Sequence, residues 1–231
     1  MSVISPIAKP PNLTEHAVSA LRREIVACRL APGDTISETL IAERFSFGRA
    51  AIRTALARLA EEEMVNAIPR RGWVVSLVTI RDIHEVFDLR LLLEPEAASR
   101  AAGHANLDRL RRLDDVCAQG YNPADPDSAL DFLAVNREFH VAVADLAGNR
   151  RLARQIGRLL DESTRMLVLG LSTRDRSGEM AHEHRALVQA MADHNTQQAA
   201  EIMRKQVTTS RDMVLSALIS PTSKLVVSEF T

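Results

Sequence analysis

Two sets of residues in this chain have types and spacings that could do chemistry. The first is cationic. Arg49 and Arg53 lie one helical turn apart, Arg70 and Arg71 precede Gly72 in a later turn, and Thr39 stands ahead of both. A guanidinium offers two N–H donors in a fixed fork, a geometry that suits both phosphate oxygens and the edge of a guanine. The second set is polar but embedded in apolar stripes. Asn136 and His140 fall on the helical face of Leu133, Val143 and Ala147, His184 falls with Leu187, Val188 and Met191, and Gln206 falls with Ala199, Ile202, Met203 and Met213. Polar groups that point inward need partners. Two imidazoles and two carboxamides could hold a divalent metal such as Zn, Ni or Mn, or could line a hydrogen-bonded pocket that takes a small molecule directly. Arg90 shares a stripe with Ile83, Phe87 and Glu94. Its inward guanidinium needs an anion, which is either Glu94 one turn on or the carboxylate of a bound metabolite.

The elements that must carry these residues can be read from periodicity. Ile41, Ala42 and Phe45 form the apolar side of a short helix, Ser46-Phe47-Gly48 is a tight turn, and Ile52, Ala55, Leu56 and Leu59 recur at the spacing of a buried helical face. That face directs Arg49 and Arg53 outward. Met64–Ile68 and Gly72–Leu77 read as two strands joined at Pro69–Gly72, so the order is a winged helix-turn-helix with a basic wing tip that would lie beside a minor groove. From Thr79 onward the pattern is helical. Helices are expected at Thr79–Ala102, Asn106–Ala118, Asp127–Ala147, Asn149–Leu171, Gly178–Asp193 and Thr196–Ile219, with a kink near Leu91 from Pro95. The expected organisation is a disordered arm over 1–11, a winged helix-turn-helix over 12–78, a helical effector and dimerisation domain over 79–220 and a tail over 221–231. The fold class is mainly α, with a small β wing and a six-helix bundle.

Composition narrows the class. The 231 residues include 46% apolar ones but only nine glycines, one Trp and one Tyr, which suits two helical cores. The net charge of −1 divides into about +2 for residues 1–78, with ten basic against eight acidic, and about −3 for the remainder, with nineteen against twenty-two. DNA would therefore be met by a focused patch rather than by a generally basic domain. The sequence offers no membrane span or signal-peptide pattern, so a cytoplasmic protein is expected. Cys28 and Cys117, expected in separate helices, lack the spacing of a metal knot.

The front segment, with Pro32-Gly33-Asp34 and Arg49-x-x-x-Arg53, resembles the DNA-binding domain of GntR-superfamily regulators, although that family usually has Ser or Thr at Gly48 and Thr-Pro at Ala50-Ala51. The remainder resembles the FCD effector domain of the FadR-like subfamily. The likeness rests on Leu89-Arg90 with Leu93-Glu94, on Asn136-Arg-Glu-Phe-His140, on Ala147-Gly148-Asn149, and on Glu183-His184-Arg185 with Gln206. The resemblance implies a homodimeric regulator, a repressor by expectation, that binds a double-stranded operator and responds to a small metabolite, often an organic acid. It also places Asn136, His140, His184 and Gln206 where metal-binding members keep an Asp or Asn and three His, so Gln206 stands in place of the third His. Two other classes remain open. One is a metal-dependent enzyme using His140 and His184 with Glu183 as base, and the other is a helical dimerisation adaptor that does not bind DNA.

Overall fold

The computed structural model describes residues 13–69, 71–103, 106–122 and 125–219. The arm, the tail and Arg70 lie outside the described residues. The chain divides into two compact units between Leu77 and Val78.

The first unit comprises α1 (Leu13–Val26), β1 (Thr35–Ile36), α2 (Glu38–Phe45), α3 (Arg49–Glu61), β2 (Val65–Ile68) and β3 (Gly72–Val75). Leu21 and Ile25 of α1 meet Ile52, Leu56 and Leu59 of α3, and Ile36, Val65 and Val75 close the core from the sheet. This burial fixes which face of α3 is left to solvent. The turn between α2 and α3 is set by Ser46, which takes a left-handed conformation (φ 57°) and returns its backbone N–H to the last carbonyls of α2. Gly48 begins α3 in extended geometry with no side-chain cap.

The sheet has three strands, in the order β1-β3-β2, all antiparallel. The wing strands were expected, whereas β1 was not, because two residues cannot display a period. β1 pairs Ile36 with Trp73 and holds the wing against the start of α2. It also explains Gly72, which has φ +95° and whose Cβ, if present, would stand 2.8 Å from the Ile36 carbonyl oxygen. The close approach at Gly72 is thus to this chain's own backbone.

The second unit is a bundle of α4 (Ile80–Ala101), α5 (Asp108–Cys117), α6 (Pro126–Leu146), α7 (Arg150–Leu171), α8 (Ser177–Ala192) and α9 (Thr196–Ile219). Each helix begins and ends within two residues of its expected bounds. α4 is central and packs on α6, α7, α8 and α9. It opens with a capping box in which the Thr79 hydroxyl accepts from the Asp82 N–H and the Asp82 carboxylate accepts from the Thr79 N–H. It runs as one helix through Pro95. Phe87, Phe139, Leu187, Met191, Met203 and Val207 are among the residues that fill the bundle interior. Cys28 lies in a left-handed turn beyond α1 rather than in a helix, and Cys117 is buried; no disulfide joins the two.

Gly72→Ala should destabilise the first unit by about 1–3 kcal/mol, since a Cβ meets both a forbidden φ and a backbone oxygen that cannot yield. Urea unfolding followed by the fluorescence of Trp73, the chain's single tryptophan, measures this at the affected strand.

Candidate DNA interface and effector site

On α3 the buried residues Ile52, Ala55, Leu56 and Leu59 leave Arg49 and Arg53 exposed together. Arg71 at the wing tip is also exposed, while Thr39 is half-buried. The sequence did not reveal that Arg53 is already engaged. Its Nε and Nη2 donate to Glu38 Oε2 at 3.1 and 2.9 Å, and Trp73 Nε1 donates to Glu38 Oε1 at 3.2 Å. Glu38 therefore accepts from α3 and the wing at once. The Arg53 hydrogen bond, against a smaller opposing effect of burial, leads the causes that lower the Glu38 carboxyl below its ordinary value, with Trp73 and the charges of Arg53 and Arg49 acting in the same direction. Other cations of this unit are paired away from the recognition face: Arg58 with Glu15, Arg22 with Glu62, and Arg44 with Glu24.

In the helical unit, Arg90, Glu94, Asn136, His140, Ser163, His184 and Gln206 are all buried. Arg90 Nε donates to Glu94 Oε1 at 2.6 Å, and Arg90 Nη1 donates to Ser163 Oγ at 3.2 Å. The Arg90 guanidinium also lies 4.9 Å over the Phe87 ring. The second Glu94 oxygen lies 2.6 Å from His140 Nδ1. Burial opposes ionisation of Glu94, but the charges of Arg90 and His140 and their hydrogen bonds overcome it and hold the carboxyl at about 2. An ionised Glu94 accepts, so His140 carries its proton on Nδ1. Of the two partners open to Arg90, Glu94 is the one it meets.

The His140 and His184 rings stand edge-to-face with centroids 5.6 Å apart, and His184 stacks on Phe139 at 3.9 Å. Burial and then the charge of His140 push the His184 imidazole well below 6.5, so it is neutral near pH 7. His184 Nδ1, Asn136 Oδ1 and both polar atoms of the Gln206 amide are buried without a protein partner. Buried polar atoms are ordinarily satisfied, and these orphans mark where a ligand or water would bind. Arg176, which the sequence reading missed, is fully buried at the start of α8. Its Nε donates to Glu179 and its Nη2 to Glu183, while Nη1 has no partner. It precedes the helical periodicity of α8, and so no stripe marked it.

A resident metal does not fit this donor set. Among the described residues no group of three or more His, Cys, Asp or Glu could hold an ion. Glu94 touches His140. Its charge is spent on Arg90, however, so two imidazoles and two carboxamides would face a dication unaided, beside a buried guanidinium.

Residues 13–75 match the family model for bacterial regulatory proteins of the gntR family, and residues 85–209, more than half of the chain, match the FCD domain. The chain belongs to the GntR family of regulators and carries an FCD domain. It is 23% identical to the uncharacterised HTH-type transcriptional regulator YdhC of Bacillus subtilis, over 84% of this chain and 87% of that protein. It is 26% identical to the HTH-type transcriptional repressor RspR of Escherichia coli, over 64% of each. The solved structure of E. coli McbR/YncC superposes with a TM-score of 0.72 at 19% identity, over 89% of this chain and 98% of that one. A putative GntR regulator from Rhodococcus gives 0.70 at 21%, over 88% and 98%. These structures establish the fold. The family is one of transcriptional regulators, not enzymes, which sets aside the metal-dependent enzyme and the adaptor. Among the described residues no helix is long and apolar enough to cross a membrane.

His184 gives a pH dependence whose sign is fixed. Its folded value lies below 6.5, so between the two values the unfolded chain binds the extra proton. The stability this group supports is therefore complete above about pH 6.5 and is lost as pH falls below it. Thermal unfolding of the intact regulator should show a falling midpoint from pH 7.5 to 5.5, with a flatter dependence in His184→Gln.

Proposed function

We propose that this regulator is a repressor that binds a palindromic operator as a homodimer through Arg49, Arg53, Arg70, Arg71 and Gly72, with Thr39 positioned at the backbone, and that it releases DNA when a small organic acid enters the helical unit. The observation that carries the effector half is the set of orphaned buried atoms on Asn136, His184 and Gln206. A carboxylate would find donors in Gln206 Nε2 and in His184 in its Nδ1–H tautomer. Arg90 and His140 belong to the site in a different role, since Arg90 holds Glu94 and Glu94 orients His140. The neutral donor set favours a directly bound effector over a Zn, Ni or Mn ion. Such a regulator meets DNA in the cytoplasm. One winged domain covers too few base pairs for repressor affinity, which argues for two copies. Leu89 and Leu92, 47% and 70% exposed on α4, form a stripe that a second copy would cover.

Changing Arg49 or Arg53 singly to Ala should weaken operator binding about ten- to a hundredfold, as loss of a base-reading fork does. Fluorescence anisotropy at fixed salt tests this, and unchanged affinity in both variants would remove α3 from recognition.

In the helical unit, a panel of small carboxylic acids should include one that raises the melting temperature of the unmodified protein and fails to do so for Gln206→Leu. After dialysis, mass spectrometry should find substoichiometric metal in the unmodified chain and more in Gln206→His, because imidazole is the better donor. Full occupancy in the unmodified chain would overturn the metal-free site.

A further inference from the structure

Glu38 is an acidic residue in the middle of a DNA-reading surface, where a carboxylate repels phosphate. It is nevertheless tightly employed. A guanidinium has two forks, one formed by Nε with Nη2 and the other by the two Nη groups. Glu38 takes the first, with Arg53 Nε at 3.1 Å and Nη2 at 2.9 Å, and at 3.3 Å the same Nε also reaches the second carboxylate oxygen. The Arg53 side chain remains 72% exposed while Glu38 is 23% exposed, so the free fork faces away from the protein. Trp73 of β3 donates to the same carboxylate. Trp73 is in turn fixed by the Ile36 pairing of β1, so Glu38 is anchored by the wing as well as by α3.

We propose that Glu38 is a positioning residue for sequence readout: it clamps one fork of Arg53 so that the other fork meets O6 and N7 of a guanine in the major groove, and it ties that aim to the wing through Trp73. The inference rests on the DNA-binding reading of α3. An unclamped arginine would satisfy phosphates in many orientations, and non-specific binding would gain. A clamped one has a single productive orientation, and guanine is the base whose major-groove edge carries two adjacent acceptors to match the fork. Glu38 thus trades general affinity for discrimination.

The test uses the full-length protein and two duplexes, one selected by the unmodified protein from a random-sequence library and one scrambled to the same composition. In Glu38→Gln the ratio of affinities for the two should fall about tenfold, with the scrambled duplex bound as tightly as before or more tightly, while thermal unfolding stays unchanged. In an Arg53→Ala background the same change should leave the ratio where Arg53→Ala alone puts it, because the two residues act as one unit. A second arm leaves Glu38 intact. Replacing guanines of the selected duplex one at a time by 7-deazaguanine, which lacks the N7 acceptor, should weaken binding at one position per half-site, and that penalty should vanish in Arg53→Ala. A ratio within twofold of the unmodified value in Glu38→Gln, an equal fall in both backgrounds, or no guanine whose N7 depends on Arg53 would each overturn the proposal. Failure of the unmodified protein to select any sequence would overturn the DNA reading beneath it as well.

Discussion

The ion pair between Arg90 and Glu94 is the constraint on which the helical unit depends. Both side chains are buried, and two charges removed from water are tolerable only when each is met closely and its remaining donors or acceptors are filled. α4 supplies the pair itself at one-turn spacing. α7 supplies Ser163 for the guanidinium, and α6 supplies His140 for the second carboxylate oxygen. Three helices are thereby held in register by one polar cluster inside an apolar bundle. Removal of either Arg90 or Glu94 would leave an unpaired buried charge, at a cost of about 3–5 kcal/mol. The cluster also bears on metal binding, because the Glu94 carboxylate is already paired with the Arg90 guanidinium.

The orphaned amide of Gln206 and the neutral ring of His184 lie in the interior of the same bundle. Burial keeps His184 uncharged, and Phe139 covers its face. The bundle interior therefore holds unpaired hydrogen-bonding atoms around an uncharged imidazole. Arg176 brings a further buried cation, already balanced by Glu179 and Glu183.

In the DNA-binding unit the corresponding constraint is apolar. Ile52, Leu56 and Leu59 on α3 lock against α1 and the sheet, which fixes the rotation of α3 and so the direction of Arg49 and Arg53. Electrostatics then refine what packing has set. The pairs Arg58–Glu15 and Arg22–Glu62 are exposed and contribute little to stability, but they tie up cations that would otherwise widen the basic surface. Glu38 acts at closer range, since it joins α2, α3 and β3 at one carboxylate.

Periodicity by itself determined α2, α3 and the helices of the second unit, because a buried face repeats every three to four residues whatever it packs against. It also determined that Arg49 and Arg53 point outward and that Asn136, His140, His184 and Gln206 point inward, since those statements concern one helix at a time. Tertiary structure decided the partners. Arg90 had two possible anions within the sequence reading, and only the approach of α7 and α6 to α4 gave Arg90 its serine and Glu94 its imidazole. Glu38 and Trp73 are thirty-five positions apart and share no stripe, so their meeting could not be read along the chain. Strand β1 is two residues long and has no period to detect. Arg176 lies at a helix start, where inward and outward faces are not yet defined. A sequence records local direction through repetition, whereas the pairing of charges is set by distances between segments that only the folded chain brings together.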